Sequence, residues 1–303
     1  MTTLDQLDAL LLTGALDLGP AFRGAQLQYV RRCQLPDGGF PGRRGGADRY
    51  YTDFALRLVV LLGGDEVVCD RAAGYLRALP EPRDLIEVFC ALNASRLLMS
   101  ADIIVSCDHS RLHEVLLRQA VGSGGFAKSH GGPVSAYATF LASLCCEMLA
   151  LGFPEPGAAA EAVLALRGEG GGFREVRGSG PEQTNATAAA VGFLNLTGAL
   201  PEEVARGAAR FLESMPSLAG GLRAHAAAPC ADLLSTFTGL VALVGLPEAD
   251  RVDLGALARF AGELAQSEGG FAATKEDLES DLEYTYYGVA TLALLRAILP
   301  RAA

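Results

Sequence analysis

From Thr187 to Gly198 the chain carries no charged side chain, whereas from Pro201 to Glu213 charged and apolar positions alternate with a helical period. The first pattern predicts a helix buried on most sides that ends at glycine. The second predicts a helix with one apolar stripe and one wet face, with Pro201 in its first turn and acids near its N-terminus. The pairing recurs: Thr285 to Leu299 repeats the apolar run, and Ala256 to Gln266 repeats the amphipathic helix before it. Ahead of the apolar runs stands a glycine pair with a phenylalanine or leucine: Gly38-Gly39-Phe40, Gly124-Gly125-Phe126, Gly171-Gly172-Phe173, Gly220-Gly221-Leu222 and Gly269-Gly270-Phe271. A short polar loop follows each, then a threonine opening the apolar run: Thr52, Thr139, Thr187, Thr236 and Thr285. Gly172, Gly221 and Gly270 lie 49 residues apart, and Gly125 lies 47 before Gly172. A fixed period in this range marks an array of like supersecondary units.

Between Gly39 and Gly125 the gap is 86 residues, near twice the repeat, and the segment from Pro82 to Asn93 reads as a sixth inner helix without its Gly-Gly turn. An open solenoid would leave such apolar inner helices wet, so they favour closure. The prediction is an all-α fold: a six-fold, double-layered barrel of apolar inner and amphipathic outer helices. It forms a single domain over residues 1–303, with very little strand.

Half of the residues are apolar, enough for a large core, and a formal charge of −10 argues against nucleic acid as the main partner. No apolar stretch approaches the roughly 20 residues of a membrane span, and MTTLDQLDALLLTG has no basic region ahead of its apolar stretch, so a cytoplasmic protein is expected. The seven cysteines lack CxxC spacing and sit mostly in apolar runs, which reads as reduced, packed thiols, Cys145 and Cys146 among them. Cys107, His109 and His113 have metal-ligand spacing but lie in a linker and outer helix, away from the inner-helix starts.

Those starts should converge on one end of the barrel, where unpaired N–H groups and helix dipoles seat an anion. Four positions before each threonine stand Asp48, Ser135, Gln183, Asp232 and Asp281. Each reads either as a helix cap, contributing about 1 kcal/mol, or as part of a polar ring around a pocket mouth.

Gln34-Leu-Pro-Asp-Gly-Gly-Phe40, with Thr52 and the run Leu58 to Gly63, resembles the repeat of protein prenyltransferase β subunits and of squalene and terpene cyclases. Gln266-Ser-Glu-Gly-Gly-Phe271 with Thr285 repeats the pattern. Length and spacing are closer to the β subunit of Rab geranylgeranyltransferase than to the two-domain cyclases. The resemblance implies an α/α toroid whose deep, aromatic-lined pocket holds an isoprenoid or other hydrophobic small molecule. For a eukaryotic-type β subunit it also implies a helical protein partner.

By the same resemblance, prenyltransferases hold one zinc with an Asp-x-Cys pair before one inner helix and a His before the next. Here Asp232 takes the Asp position, but Leu234 stands at the Cys position and Tyr284 at the His position. Cys230 is the one nearby substitute, so no cofactor is expected, with Asp232 and Cys230 as the remaining metal candidates. The family's basic diphosphate loop falls on Arg223-Ala-His-Ala-Ala-Ala228, which is poor in charge; Arg43, Arg44 and Arg177 are then the candidates for phosphate oxygens. Class II terpene cyclases carry Asp-x-Asp-Asp-Thr at an inner-helix start, and Asp281-Leu-Glu-Tyr-Thr285 is similar at Asp281, Glu283 and Thr285.

The catalytic candidates are thus Asp232, Asp281, Glu283 and Tyr284. Those for substrate binding are Asp48, Arg43, Arg44, Arg177, Tyr50, Tyr51, Tyr137 and Phe237, the aromatic rings serving either to line an isoprenoid pocket or simply to pack a core. Three functions fit: prenyl transfer from a diphosphate, acid-started cyclisation with Glu283 or Asp281, and non-catalytic binding of a hydrophobic ligand or protein.

Overall fold

The computed structural model describes residues 1–247 and 252–299. Its helices are α1 (Thr3–Ala15), α2 (Pro20–Cys33), α3 (Arg49–Leu62), α4 (Glu66–Ala78), α5 (Leu85–Met99), α6 (His109–Leu117), α7 (Ala136–Met148), α8 (Pro156–Leu164), α9 (Thr184–Leu196), α10 (Glu202–Glu213), α11 (Leu233–Val244), α12 (Leu254–Glu263) and α13 (Leu282–Ile298). Among the described residues, strand is limited to β1 (Phe40–Pro41) with β2 (Ala47–Asp48) and β3 (Phe271–Ala272) with β4 (Ser280–Asp281), both pairs antiparallel, besides isolated bridges. No described helix is long and apolar enough to cross a membrane.

The apolar runs form α3, α5, α7, α9, α11 and α13, and the amphipathic segments form the helices between them. The segment from Pro82 onward does give a sixth inner helix, α5, which starts at Leu85 behind the Asp84 cap. Some boundaries move. Each of the five inner helices with a threonine begins three residues before it, so α9 starts at Thr184 rather than Thr187. The last outer helix stops at Glu263 rather than Gln266, because Leu264 O and Gln266 N are taken by the next turn, bonded to Ala272 N and Gly270 O.

The repeating motif has a hydrogen-bond explanation. In all five units the threonine Oγ1 accepts from the backbone N–H of the residue after the glycine pair: Phe40, Phe126, Phe173, Leu222 and Phe271, at 2.8–3.1 Å. In four of them the same hydroxyl donates to the N-cap carbonyl of its own helix, at Asp48, Gln183, Asp232 and Asp281. One buried hydroxyl thus fastens each turn to the start of its helix and pairs the amide that follows the glycines. The glycines let the turn approach an outer helix. Gly38 and Gly269 have φ of +92° and +85°, and a Cβ there would lie 2.2 Å from Arg71 O on α4 and 2.6 Å from Ala25 O on α2.

The chain divides into two compact units, Met1–Leu112 with Ala261–Ala303 and His113–Phe260. In the first, α3 packs between α5 and α13, with α2 and α4 behind it. α1, for which the repeat pattern held no place, lies along α13 so closely that a Cβ at Gly14 would overlap Ala293 O. In the second unit α7, α9 and α11 pack side by side around a core of Val163, Leu166, Phe173, Phe193 and Leu194. All seven cysteines are free thiols; Cys69, Cys90, Cys145 and Cys146 are buried.

Candidate active site

The N-caps come first, because they fix the inner-helix starts. Asp48, Ser135, Asp232 and Asp281 all sit at N-caps, and each side chain accepts from the backbone N–H three residues on: Tyr51, Ala138, Ser235 and Tyr284. Gln183 holds the same position without a side-chain cap bond. Capping therefore accounts for four of the five polar residues before the threonines.

In the first unit, spacing places Tyr50, Phe54 and Arg57 on one face of α3, and Glu283, Tyr286 and Tyr287 on α13 meet it. The rings of Tyr50 and Tyr51 lie edge-on at 5.4 Å, Tyr50 and Phe54 at 5.0 Å, and Phe54 reaches Tyr286 at 5.6 Å and Tyr287 at 5.5 Å. Among these rings sits one carboxyl. Glu283 Oε1 accepts from the Tyr50 hydroxyl at 2.8 Å and from the Tyr287 hydroxyl at 3.5 Å. Burial pushes the Glu283 carboxyl above the usual carboxylate range, the Tyr50 hydrogen bond works the other way, and the nearby Asp281 pushes it up further.

Beside this group, Arg43 makes a hydrogen bond with each of its three guanidinium nitrogens. Its Nε lies 2.6 Å from Asp281 Oδ2 and its Nη1 2.5 Å from Asp277 Oδ2, while Nη2 donates to Glu279 O at 2.8 Å. The guanidinium also stands 5.5 Å from the Tyr284 ring centroid. Three of the Arg43 donors thus go to neighbouring carboxylates and a carbonyl. Arg44 is exposed on the same loop.

Beneath the rings, Asp53 and Arg57 form an ion pair at 2.5 Å, and Asn93 on α5 donates to the other Asp53 oxygen at 2.7 Å. Asn93 in turn accepts from Arg96, whose guanidinium reaches Asp5 and Asp8 on α1. The sequence reading missed Asp53, Arg57, Asn93 and Asp277. A signal existed for the first two, since opposite charges four apart inside an otherwise apolar helix need a partner or a purpose.

The structure thus gathers Arg43, Asp48, Tyr50, Tyr51, Asp281, Glu283 and Tyr284 in one unit, while Tyr137, Arg177, Cys230, Asp232 and Phe237 belong to the other. There Tyr137 is partly exposed beneath the ammonium of Lys128 at 5.6 Å, Arg177 is exposed and Phe237 is buried. Asp232 spends both oxygens on Ser235, taking its N–H at 2.7 Å and its hydroxyl at 2.8 Å. Burial pushes the Asp232 carboxyl up, and its hydrogen bonds to Ser235 work the other way. Among the described residues no three His, Cys, Asp or Glu side chains are grouped to hold a metal, His109 and His113 included. With Leu234 bringing no donor, this set does not fit a zinc ion of the prenyltransferase kind.

Comparison with known proteins agrees with this architecture. Protein geranylgeranyltransferase-I of Candida albicans, solved with geranylgeranyl diphosphate, is similar over 90% of both chains with a TM-score of 0.71 and 14% identity. The type II terpene cyclase MstE of Scytonema matches over 94% of this chain and 98% of its own, with a TM-score of 0.63 and 13% identity. A variant of that cyclase solved with its substrate, geranylgeranyl dihydroxybenzoate, gives 0.63 at 12% identity over 95% of this chain and 97% of its own. No curated protein sequence matches. The family model described as the prenyltransferase alpha-alpha toroid domain matches residues 2–83, 78–228 and 187–301. With five Gly-Gly turns, six apolar inner helices and these matches along nearly its whole length, the chain belongs to the prenyltransferase alpha-alpha toroid family.

Proposed function

We propose that this chain, as a single toroid domain, binds an isoprenoid against the ring group of α3 and α13 and activates it by acid catalysis at Glu283, without the zinc of protein prenyltransferases. The carrying observation is the environment of that carboxyl. Burial among aromatic rings keeps it protonated to higher pH than an ordinary glutamic acid. Both hydrogen bonds reach Oε1, so Oε2 is the oxygen that carries the proton to the ligand. As the π electrons of an alkene, or a lone pair of an epoxide oxygen, take that proton, the Tyr50 and Tyr287 hydroxyls stabilise the carboxylate left behind. The faces of Phe54, Tyr286 and Tyr287 suit the carbocation that follows. Loss of a proton from the product cation restores the balance, so the overall change is an isomerisation.

Prenyl transfer from a diphosphate has less support, since the donors of Arg43 are engaged by Asp277, Asp281 and Glu279 O. The test is turnover of geranylgeraniol, its terminal epoxide and geranylgeranyl diphosphate, followed by mass spectrometry for wild type and Glu283→Gln. Acid activation predicts isomeric products lost by a factor of about 100 or more in the variant, with ligand affinity retained. Diphosphate release at a rate indifferent to Glu283 would favour transfer instead. Binding with no turnover of any of the three would favour the non-catalytic reading.

A further inference from the structure

Of the six inner helices, α5 is the one without a Gly-Gly turn. It is reached from α4 through six residues, 79–84, whereas α3 is reached from α2 through fifteen, 34–48. Asp84 caps α5 as other acids cap their helices, but four residues on stands Val88 instead of a threonine. Three residues further, every unit carries a small residue: Ala55, Ala142, Ala190, Gly239 and Gly288, and Ala91 in α5. That position faces the turn. A Cβ at Gly239 would lie 2.5 Å from Leu222 Cδ1, and one at Gly288 would lie 2.2 Å from Phe271 Cδ1, so both meet the apolar residue after a glycine pair.

In the corresponding place beside Ala91 there is a cavity. It measures about 120 Å³, and Leu76 of α4, Ala91 of α5 and Leu112 of α6 line it together with Val105 and Cys107 from the α5–α6 connection. In other units the turn fills this interval, between its inner helix and the outer helix that follows: Gly38 packs on α4 and Gly220 on α12. Of the charged groups around the cavity, Arg49, Arg77 and Asp108 already have protein partners. Arg49 donates to Pro80 O at 2.8 Å and stands 3.8 Å from Glu87, Arg77 donates to Ile104 O at 2.8 Å, and Asp108 accepts from Arg111 N–H at 3.1 Å. An ionic ligand would have to displace these partners, whereas an apolar side chain meets Leu76, Ala91, Val105 and Leu112 without disturbing them. An apolar cavity of about 150 Å³ accepts a benzene ring, so this one has the size of a single side chain and not of an isoprenoid.

We infer that this cavity is a docking site for a protein partner, which inserts one phenylalanine or leucine side chain from a turn-forming segment where the chain's own Gly-Gly turns stand in the other units. The occupant is polypeptide because each of the five filled places is filled by a turn of polypeptide. In every one the residue after the glycines is fully buried: Phe40, Phe126, Phe173, Leu222 and Phe271. The cavity shares no lining residue with the ring group around Glu283, and the inference does not rest on the isoprenoid reading.

The probes are two N-trifluoroacetyl peptides that copy residues 36–41, one with Phe40 and one with Phe40→Ala, titrated against the full chain by fluorine NMR. The phenylalanine peptide is expected to bind about tenfold or more tightly, the scale of burying one such side chain. Ala91→Leu fills the cavity from α5 and should erase that difference while melting at or above the wild-type temperature. Cys107→Leu, which fills it from the α5–α6 connection, should erase it as well. Ala55→Leu is the control: its unit already holds Phe40, so the added bulk should lower the melting temperature by about 2 °C or more. Equal binding of the two peptides by wild type, a preference that survives in folded Ala91→Leu, or an Ala91→Leu protein that melts as low as Ala55→Leu overturns the inference. Binding of toluene but of neither peptide, lost in Ala91→Leu, would make the cavity a small-molecule site and overturn it too. Self-association of wild type that Ala91→Leu abolishes would make the occupant a second copy of this chain, with the same consequence.

Discussion

Arg43, on the loop after the first Gly-Gly-Phe turn, holds Asp281, the N-cap of the last inner helix, through an Nε–Oδ2 contact of 2.6 Å. The two residues are 238 positions apart in sequence. Asp281 caps α13 with one oxygen and meets Arg43 with the other, so one carboxylate ties the first repeat to the last while setting the start of the helix that carries Glu283.

Arg43→Met should therefore act on stability and on the site together. It strands a carboxylate whose side chain is only 5% accessible, while Arg43 itself is 23% accessible and part of its worth is screened. A loss of about 1–3 kcal/mol is expected, read by urea denaturation. Adding Asp281→Asn, which keeps the cap acceptor, should recover much of that loss.

Glu283 predicts a pH profile with a definite sign. Burial raises its folded pKa above the unfolded value, so the native state keeps its full margin at pH below the unfolded pKa. The margin falls as pH rises through the higher, folded value, where a buried carboxyl must ionise. Activity that needs the protonated acid falls over the same window. In Glu283→Gln the stability-versus-pH curve should be flatter there, and a variant with the wild-type slope would refute the assignment.

Thr285→Val tests the turn-to-helix fastening. Valine fills the space but leaves the buried Phe271 N–H without its acceptor, a cost of about 1–3 kcal/mol. Thr285→Ser keeps the hydroxyl and should cost well under half as much. The same pair at Thr187 should behave alike, since it bonds Phe173 N and Gln183 O in the same manner. Thermal melts of the four variants are sufficient.

Asp232 should prove a cap rather than a catalyst. Asp232→Ala is expected to lower stability by about 1–2 kcal/mol through loss of the α11 cap, and to leave turnover per folded molecule within a factor of about two of wild type. Asp232→Asn should keep most of both. Elemental analysis with chelator treatment is the companion measurement: activity that disappears with zinc removal and returns on its addition would restore Asp232 and Cys230 as metal ligands.

The glycine pairs, the threonines and the uncharged runs announced the helical array, because helix period, positive φ and close approach are local demands that residue type meets locally. The N-cap positions were legible for the same reason: Asp48, Ser135, Asp232 and Asp281 lie at a fixed offset from the threonine, and capping acts over three residues. α1 was not legible, since nothing in its sequence says that Gly14 will lie against Ala293. Nor was the use of each charge. Arg43 reads as a loop cation until Asp277 and Asp281 arrive beside it, and Arg57 as a stray charge until Phe89 and Tyr286 close around it. The sequence by itself determined the repeat, the helices and the caps, which depend on neighbours in the chain. Only the tertiary structure decided which carboxyl is buried among rings and which arginine is spent, because desolvation and pairing depend on what residues more than 200 positions away bring to the same place.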